Sequence, residues 1–570
     1  MCNTCGCTAG LDGMSKVEAV KAASRGLRGT LAQELGLDTP RFSEEAVQVL
    51  KFHGVYQQDD RDRRREARAR GLDKHHQMMV RTRIPGGVVS PEAYLAHDAI
   101  AQRWGDGTLR VTTRQDFQLH GVLKGDLRSS IRAINEALLT TLGGCGDVER
   151  NIMSCPAPAC DGFRAQVAAV LARLVAALAP SAGAYHEIWL DGEPAPGAGA
   201  APDPLYGDRY LPRKFKTGVA LEGDNCVDVY ANDLGLVACR APDGELAGFQ
   251  VLVGGGLGRT HNKPDTFPAV ARPLGFVAGD DAVAAARAVL SVQRDYGNRG
   301  DRRHARLKYL LHERGLAWFK GEVQERLGSE LGPSRPLAWD PVCDHLGWHE
   351  QGEGRLYLGV HVENGRISDA GASRLGSALR ALVERLRPGV RLTPQQNVIL
   401  SGLRPQDRAG VDALLEGHGV EPAARLPLAL RHSMACPAWP TCGLAVAEAE
   451  RVMPELIRRL AALAAELGLG QEPISFRMTG CPNGCARPYL GDVGFVGTTL
   501  GKYDVYLGGD FQGTRLNELF AHNVPLDAIP GLLGGPLAAF VSERRPGQAF
   551  GDWCHEAGVA RLGERFGAPA

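Results

Sequence analysis

The stretch Leu109-Arg-Val-Thr-Thr-Arg-Gln-Asp-Phe-Gln-Leu-His-Gly121 recurs in this chain as Val390-Arg-Leu-Thr-Pro-Gln-Gln-Asn-Val-Ile-Leu-Ser-Gly402. The two stretches are 281 residues apart (390 − 109), and the Cys-Pro-Ala at Cys155 meets the one at Cys436 at the same offset (436 − 155). Two independent matches at one offset indicate a duplicated module. The sequence therefore predicts two related halves about a pseudo-twofold axis, with a site between them.

Secondary-structure patterns repeat along with the sequence. A helical pattern at 91–104 precedes the first repeated stretch, and a similar pattern at 373–386 precedes the second. The stretches themselves alternate apolar and polar residues, which predicts one strand at 109–122 and one at 390–403. Helices and strands in this order indicate an α+β fold.

Composition excludes several classes of protein. The 570 residues carry 65 basic and 65 acidic side chains, so no global field favours nucleic acid or an anionic membrane. The N-terminus shows no secretory signal, and the most apolar stretch, 165–178, is too short to span a bilayer. We expect a cytoplasmic protein of several domains, whose thiols stay reduced and available to metal.

Four cysteines in the C-terminal third, Cys436, Cys442, Cys481 and Cys485, form two pairs beside Pro and Gly. Four thiolates can hold an iron–sulfur cubane completely. Structural zinc sites usually pair cysteines two to four residues apart, whereas five residues separate Cys436 from Cys442. The spacing therefore favours an iron–sulfur cluster over zinc. A helical pattern at 444–467 lies between the two pairs.

The two cysteine segments, CPAWPTC (436–442) and GCPNGCARP (480–488), resemble those of the siroheme-dependent assimilatory sulfite reductases. The resemblance runs nearly end to end, and further segments carry it: RTRIPGG (81–87), TTRQDFQLHG (112–121), RNIM (150–153), LPRKFK (211–216) and LVGGGLGRTHNKPDTFP (252–268). It implies duplicated sulfite/nitrite reductase modules with cofactors at their interface.

The same resemblance implies five divisions of the chain. They are an N-terminal extension and wrapping segment (1–70), a ferredoxin-like half domain (71–142), a siroheme and substrate domain (143–340), a second ferredoxin-like half domain (341–423) and an iron–sulfur and siroheme domain (424–570).

Cofactors and site residues also follow from the resemblance. The four cysteines would hold a [4Fe-4S] cluster, and Cys485 would bridge it to the iron of siroheme. Arg81, Arg150, Lys214 and Lys216 match the residues that bind the oxyanion. The expected cofactor contacts are Arg110, Arg114, Asn298, Arg302 and Asn483.

The two lysines are separated by one residue, which constrains their direction. If the segment is a strand, Lys214 and Lys216 face the same way, toward the anion, and Arg213 faces away.

Other cysteines are expected to have no cofactor role. Cys155 and Cys160 mirror the first cluster pair, but no second pair matches in that half, so we expect buried thiols. For Cys2, Cys5 and Cys7 the sequence favours a mobile tail before an alternative start at Met14, with metal binding as the alternative.

The predicted function is the six-electron reduction of sulfite to sulfide. The alternatives are a ferredoxin-dependent nitrite reductase and, from another class, a non-catalytic iron–sulfur relay or regulator. No nicotinamide-binding or flavodoxin-like segment is visible. Electrons are therefore expected from a partner protein, either an NADPH-dependent flavoprotein or ferredoxin.

Overall fold

The computed structural model describes residues 13–182, 202–341 and 343–567, together with two short strands, β7 (Trp189–Leu190) and β8 (Glu193–Pro194). The predicted tail with Cys2, Cys5 and Cys7 lies outside these residues. Helices and strands alternate with long irregular loops, and the predicted α+β class is confirmed.

Two five-stranded sheets form the half domains. Sheet I has the order β1 (Val55–Asp59), β2 (His76–Arg81), β5 (Phe117–Val122), β4 (Leu109–Val111), β15 (Arg366–Ile367). Sheet II has the order β13 (Gly347–Gly352), β14 (Arg355–Val360), β17 (Val398–Leu403), β16 (Gly389–Leu392), β3 (Val88–Val89). Each sheet takes its last strand from the other half of the chain: β15 pairs with β4, and β3 pairs with β16.

Two further five-stranded sheets carry the loops of the site. Sheet III has the order β12 (Arg272–Ala278), β11 (Leu246–Val253), β10 (Leu234–Arg240), β9 (Thr217–Leu221), β6 (Met153–Ser154). Sheet IV has the order β22 (Glu518–Pro525), β21 (Lys502–Leu507), β20 (Val493–Thr499), β19 (Phe476–Thr479), β18 (Ser433–Ala435). In both sheets the three strands at one edge are parallel and the others antiparallel.

Helices cover the sheets and complete the cores. They are α1 (Lys16–Ala23), α2 (Leu31–Leu35), α3 (Glu44–Leu50), α4 (Arg64–Ala69), α5 (Pro91–Trp104), α6 (Leu127–Glu136), α7 (Gly162–Leu178), α8 (Ala282–Tyr296), α9 (Leu307–Arg314), α10 (Leu316–Leu327), α11 (Leu375–Leu386), α12 (Arg408–Gly417), α13 (Leu428–Arg431), α14 (Met453–Glu466), α15 (Ile529–Glu543), α16 (Phe550–Ala557) and α17 (Val559–Phe566). Sheets I and II share one apolar core with α5 and α11, whereas sheets III and IV each have their own.

A pair of glutamines marks the pseudo-twofold axis. Gln115 and Gln396 both have positive φ, 58° and 68°. The Gln115 amide donates to the Leu392 carbonyl of the other half, and the Gln396 amide donates to the Ala435 carbonyl of its own half. Beside them, a Cβ on Gly87 would lie 2.3 Å from the Leu392 carbonyl oxygen, and one on Gly365 would lie 2.2 Å from that of Val111. Only glycine is accommodated at either position.

Two details of the prediction were wrong. Each predicted strand is a hairpin, because a turn at 112–116 separates β4 from β5 and one at 393–397 separates β16 from β17. The helix predicted at 444–467 begins only at Met453. Within the described residues, no helix combines the length and apolarity that crossing a membrane would require.

Candidate functional site

Two loops at the carboxyl ends of parallel strands carry the four cysteines. Cys436 follows β18, and Cys481 follows β19. The loops touch, since the Gly480 N–H donates to Cys436 Sγ at 3.5 Å. A Cβ on Gly480 would lie 2.4 Å from the backbone oxygen of Ala447. The approach of the two loops therefore requires glycine.

The thiols are close enough to interact but are not gathered around one point. Burial, and then the charge of Cys485, raises the pKa of Cys481 to about 12. Burial followed by the charges of Cys485 and Cys481 also raises the pKa of Cys436. In the described part of the chain, the one group of His, Cys, Asp and Glu ligand atoms lying within 4.8 Å of one another is elsewhere. A polynuclear cluster fits this wider ring of thiols better than a single ion does.

Cys485 lies between the thiols and a group of cations. Its thiol is exposed, and its charge acts on Arg81, Lys214 and Lys216. The turn of the first repeated stretch holds the loop, because Thr113 Oγ1 donates to the Cys485 carbonyl at 2.9 Å. The structure thus brings the cysteines and the predicted anion-binding residues to one place.

Backbone and side-chain acceptors position the two arginines. Arg81 ends β2, and its Nε donates at 3.1 Å to Gln118, whose amide oxygen faces it. Arg150 Nε donates to the Gly146 carbonyl at 2.8 Å. The Tyr56 hydroxyl also hydrogen-bonds Arg150. A guanidinium has five N–H donors, so these contacts leave others that could bind an anion.

The lysines lie among like charges. Burial and the neighbouring Arg213, Arg306 and Arg150 lower the pKa of Lys214 to about 7. Burial, Arg114 and Lys214 lower the pKa of Lys216 well below its usual value. Cations held together in this way favour the binding of an anion, which would offset their repulsion. This excess of positive charge fits both a carboxylate-rich macrocycle and a small oxyanion.

The lysine segment is extended but is not the predicted strand. β9 begins only at Thr217, and Phe215 forms an isolated bridge with Glu149. The Phe215 side chain is fully buried, while the lysines on either side of it are partly exposed. Arg213 Nη1 lies 4.0 Å from Asp147 Oδ1.

The five predicted cofactor contacts differ in how many of their polar atoms already form hydrogen bonds or ion pairs within the protein. Arg110 is 1% exposed, pairs with Glu450 and donates to the Ala435 carbonyl at 2.9 Å. Arg114 Nη1 donates to Asn232 Oδ1 at 2.9 Å. Both lie beside the site, Arg110 near Cys436 and Arg114 near Lys216.

The other three predicted cofactor contacts also bond to groups within the protein. Asn298 Oδ1 accepts from the backbone N–H groups of Gly300 and Asp301, at 2.9 and 2.8 Å. Arg302 forms an ion pair with Asp147 at 2.8 Å. Asn483 Nδ2 donates to Cys481 Sγ at 3.4 Å. Of these three, Asn483 directly contacts a cysteine of the proposed cluster.

Sequence reasoning missed Tyr56 and Cys145. Burial, and then Cys145, raises the pKa of the Tyr56 hydroxyl, which contacts Arg150. Cys145 is fully buried and its charge also acts on Arg81. The signal available was a single cysteine within three glycines, Gly143-Gly-Cys-Gly146.

A cavity of about 530 Å³ opens on another side of the cysteine loops. Pro482, Arg259, His261, Lys263 and Tyr506 are among the residues that line it. Arg81, Arg150, Lys214 and Lys216 do not line it, so the oxyanion chemistry is not placed there.

Comparisons with known proteins identify the family to which the chain is similar. A profile of the "Nitrite and sulphite reductase 4Fe-4S domain" matches residues 172–331. A profile of the "Nitrite/Sulfite reductase ferredoxin-like half domain" matches residues 70–137 and 349–418, one stretch in each half. The four cysteines lie outside both matches.

Curated relatives match over nearly the whole chain. "Sulfite reductase [ferredoxin]" of Synechococcus elongatus is 45% identical, over 97% of this chain and 91% of the relative. "Sulfite reductase [NADPH] hemoprotein beta-component" of Xylella fastidiosa is 44% identical, over 96% and 97%. The protein of the same name from Methylobacterium is 47% identical, over 96% and 91%. The solved Mycobacterium tuberculosis NirA protein, 23% identical, has the same fold, with a TM-score of 0.78 over 96% of this chain and 97% of that one.

Proposed function

This chain belongs to the nitrite and sulfite reductase family, and on that premise we propose that it is an assimilatory sulfite reductase. The reaction converts sulfite, six electrons and seven protons into hydrosulfide and three water molecules. The observation that carries the proposal is the convergence of Arg81, Arg150, Lys214 and Lys216 beside Cys485. An electron relay does not need a cluster of cations that binds an oxyanion.

Cys436, Cys442, Cys481 and Cys485 would hold the [4Fe-4S] cluster, with Cys485 on the siroheme side. When bound, the cluster and siroheme supply single-electron transfer and an iron that binds the substrate. The chain's own thiolates must be deprotonated for this role. Burial and mutual repulsion raise the pKa values of these thiols, and the positive charge of iron would offset that effect.

The four cations would bind and orient the oxygens of sulfite. The guanidiniums of Arg81 and Arg150 stay charged and present rigid pairs of donors. Lys214, with a pKa of about 7, is suited to giving a proton to a departing oxygen near neutral pH. The residues proposed to contact the macrocycle are Arg110, Arg114, Asn298, Arg302 and Asn483. The chief contacts are proposed to be Arg114, which acts on Lys216, and Asn483, which contacts Cys481.

The electron donor is proposed to be a separate protein in the cytoplasm. One of the relatives is named for ferredoxin and others for NADPH. We favour an NADPH-dependent flavoprotein, with ferredoxin as the alternative. Turnover measured separately with each reduced donor protein distinguishes them.

The reaction is tested with an artificial donor. Purified protein with reduced methyl viologen should convert sulfite to sulfide, and it should be inert with NADPH alone. Nitrite should be the poorer substrate by kcat/KM, because the dianion of sulfite gains more from four cations than a monoanion does. A preference for nitrite would favour the nitrite reductase alternative. Cluster absorption without siroheme bands would favour the relay.

A further inference from the structure

A second group of metal-ligating side chains lies in the first half, away from the four cysteines. The ligand atoms of Cys155, Asp224, Cys226 and His345 all lie within 4.8 Å of one another. The Cys155 thiol donates to Asp224 Oδ2 at 2.9 Å. Two thiols, an imidazole and a carboxylate at this spacing are a suitable ligand set for a single tetrahedral ion.

The group occupies the position in the first half that the cysteine loops occupy in the second. Cys155 follows β6, as Cys436 follows β18. Strands β9 and β19 begin 259 residues apart (476 − 217), and the same offset relates Cys226 to Cys485 (485 − 226). The expectation of buried thiols was wrong for Cys160, which is exposed. The first half has no complete counterpart of the second cysteine pair, because Glu222 stands at the position equivalent to Cys481. One member of that pair has its counterpart in Cys226.

The environment of His345 points to a ligand. Its side chain is 4% exposed, and neither ring nitrogen makes a well-aligned hydrogen bond. The polar groups that face the ring are the thiols of Cys155 and Cys343. Leaving both nitrogens of a buried imidazole unpaired costs free energy, whereas coordination of a metal would use one of them.

Burial and charge are also consistent with an ion. Cys226 is 1% exposed and Cys155 is 9% exposed, so these thiols are protected from solvent. The side-chain hydrogen bond with Cys226 lowers the pKa of Cys155 to about 7. Two thiolates and a carboxylate around a divalent cation leave one negative charge. The nearby guanidiniums of Arg164 and Arg391, which act on Cys155, would balance it.

We propose that Cys155, Asp224, Cys226 and His345 bind one zinc ion as a structural site. Zinc accepts this mixture of sulfur, nitrogen and oxygen in tetrahedral geometry, and a closed set of four protein ligands is typical of structural sites. The ion would link three separate segments: the end of β6, the loop after β9 and the residues before β13. It would connect the predicted siroheme and substrate domain (143–340) to the second ferredoxin-like half domain (341–423).

Element analysis and X-ray absorption test the proposal on the holoenzyme. Protein purified without chelators should contain about one zinc per chain in addition to its iron. The zinc absorption edge should report two sulfur neighbours at about 2.3 Å and two nitrogen or oxygen neighbours at about 2.0–2.2 Å. Zinc spectra are separate from those of iron, so this measurement does not depend on any variant.

Matched variants identify the ligands. Cys226→Ala and His345→Ala should each lower zinc content at least tenfold while iron content is retained. Cys239→Ala, which removes a buried thiol of the same sheet outside the group, should keep both metals. The proposal is overturned if the wild-type protein takes up no zinc even when reduced and given Zn²⁺, if Cys226→Ala keeps its zinc, or if peptide mass analysis finds a Cys155–Cys226 disulfide. None of these outcomes depends on the reaction catalysed.

Discussion

The two halves of the chain share a backbone frame but differ in the side chains that face the site. Before β9, the Lys216 N–H donates to Asp233 Oδ2 at 2.9 Å. Before β19, the Ser475 N–H donates to Asp492 Oδ2 at the same distance. The equivalent position therefore carries a lysine in the first half and, in the second, a serine whose hydroxyl donates to Asp492 Oδ2. Duplication preserved the hydrogen bond that positions the backbone and left the side chain free to change.

The cluster-type cysteines, in contrast, are concentrated in the second half. The second half has cysteine at 436, 442, 481 and 485, whereas the equivalent of Cys481 in the first half is Glu222 (481 − 259). The Glu222 carboxylate accepts from the backbone N–H of Arg240 at 2.7 Å. The four predicted cluster ligands thus lie in one half and the four predicted anion-binding cations in the other, so the proposed site needs both halves.

The largest expected effect comes from the cysteine that joins these two sets. Cys485→Ser should leave sulfite reduction undetectable, because the ligand between cluster and heme is lost. Activity with reduced methyl viologen and the absorption spectrum are the measurements. Cys554→Ser, at a buried cysteine of α16 outside the two cysteine loops, is the control and should retain both. Sulfite turnover by Cys485→Ser would contradict the ligand assignment.

Substitution of a predicted anion-binding cation in the first half should have an intermediate effect. A charge-assisted hydrogen bond contributes roughly 1.5–3 kcal/mol, so Lys216→Met should lower kcat/KM for sulfite about ten- to a hundredfold. Arg213→Met should cost much less, because Arg213 faces Asp147. Steady-state kinetics with reduced methyl viologen compare the two variants. Equal losses would mean that Arg213 also binds the anion.

The two glutamines at the pseudo-twofold axis allow the two halves to be compared through the stability of their variants. Gln115 donates to the Ser154 and Leu392 carbonyls, both at 2.9 Å, and its Oε1 accepts from the Ser154 N–H. Gln396 makes two similar bonds, but its Oε1 has no partner. Each Gln→Ala change should cost about 1–3 kcal/mol, since buried carbonyls lose donors. Thermal unfolding should show the larger fall in Tm for Gln115→Ala, and the reverse order would contradict this account.

The smallest effect concerns pH. Since the pKa of Lys214 is lowered to about 7, the lysine loses its charge as pH rises above that value, and anion binding weakens. Because kcat/KM reports the ionisation of the enzyme before sulfite binds, its fall should lie near pH 7. Lys214→Arg stays charged over this range and should flatten the profile between about pH 7 and 9. An unchanged profile would exclude Lys214 as the titrating group.

The duplicated fold was predictable from one sequence offset, but the connections were not. The first repeated stretch has no Gly or Pro at its turn. Gln115 takes the left-handed conformation instead, and its side-chain hydrogen bonds support it. The predicted start of the long helix fails for a related reason. The Val446 and Ala447 N–H groups donate to the Gly480 carbonyl, at 2.8 and 3.0 Å, so tertiary bonds replace helical ones.

The candidate site was predictable where motifs are contiguous. Short contiguous motifs identify the cysteines and the cations, and the structure brings them together. Cys226 was missed because β9 begins 62 positions after Cys155 (217 − 155), whereas β19 begins 40 positions after Cys436 (476 − 436). The longer connection shifts the offset from 281 to 259, and similarity at a fixed offset does not detect it. His345 lies outside the repeated stretches that the sequence comparison found.

The exchange of β3 and β15 between sheets I and II has a consequence for how such a chain could arise. A single copy of the module would leave the edge of β4 or β16 unpaired, and an unpaired edge invites another strand. Two identical copies related by a twofold axis would each supply the strand that the other lacks. The present chain has the architecture of such a homodimer joined end to end. Once joined, each copy could mutate residues that a symmetric ancestor had to keep on both sides.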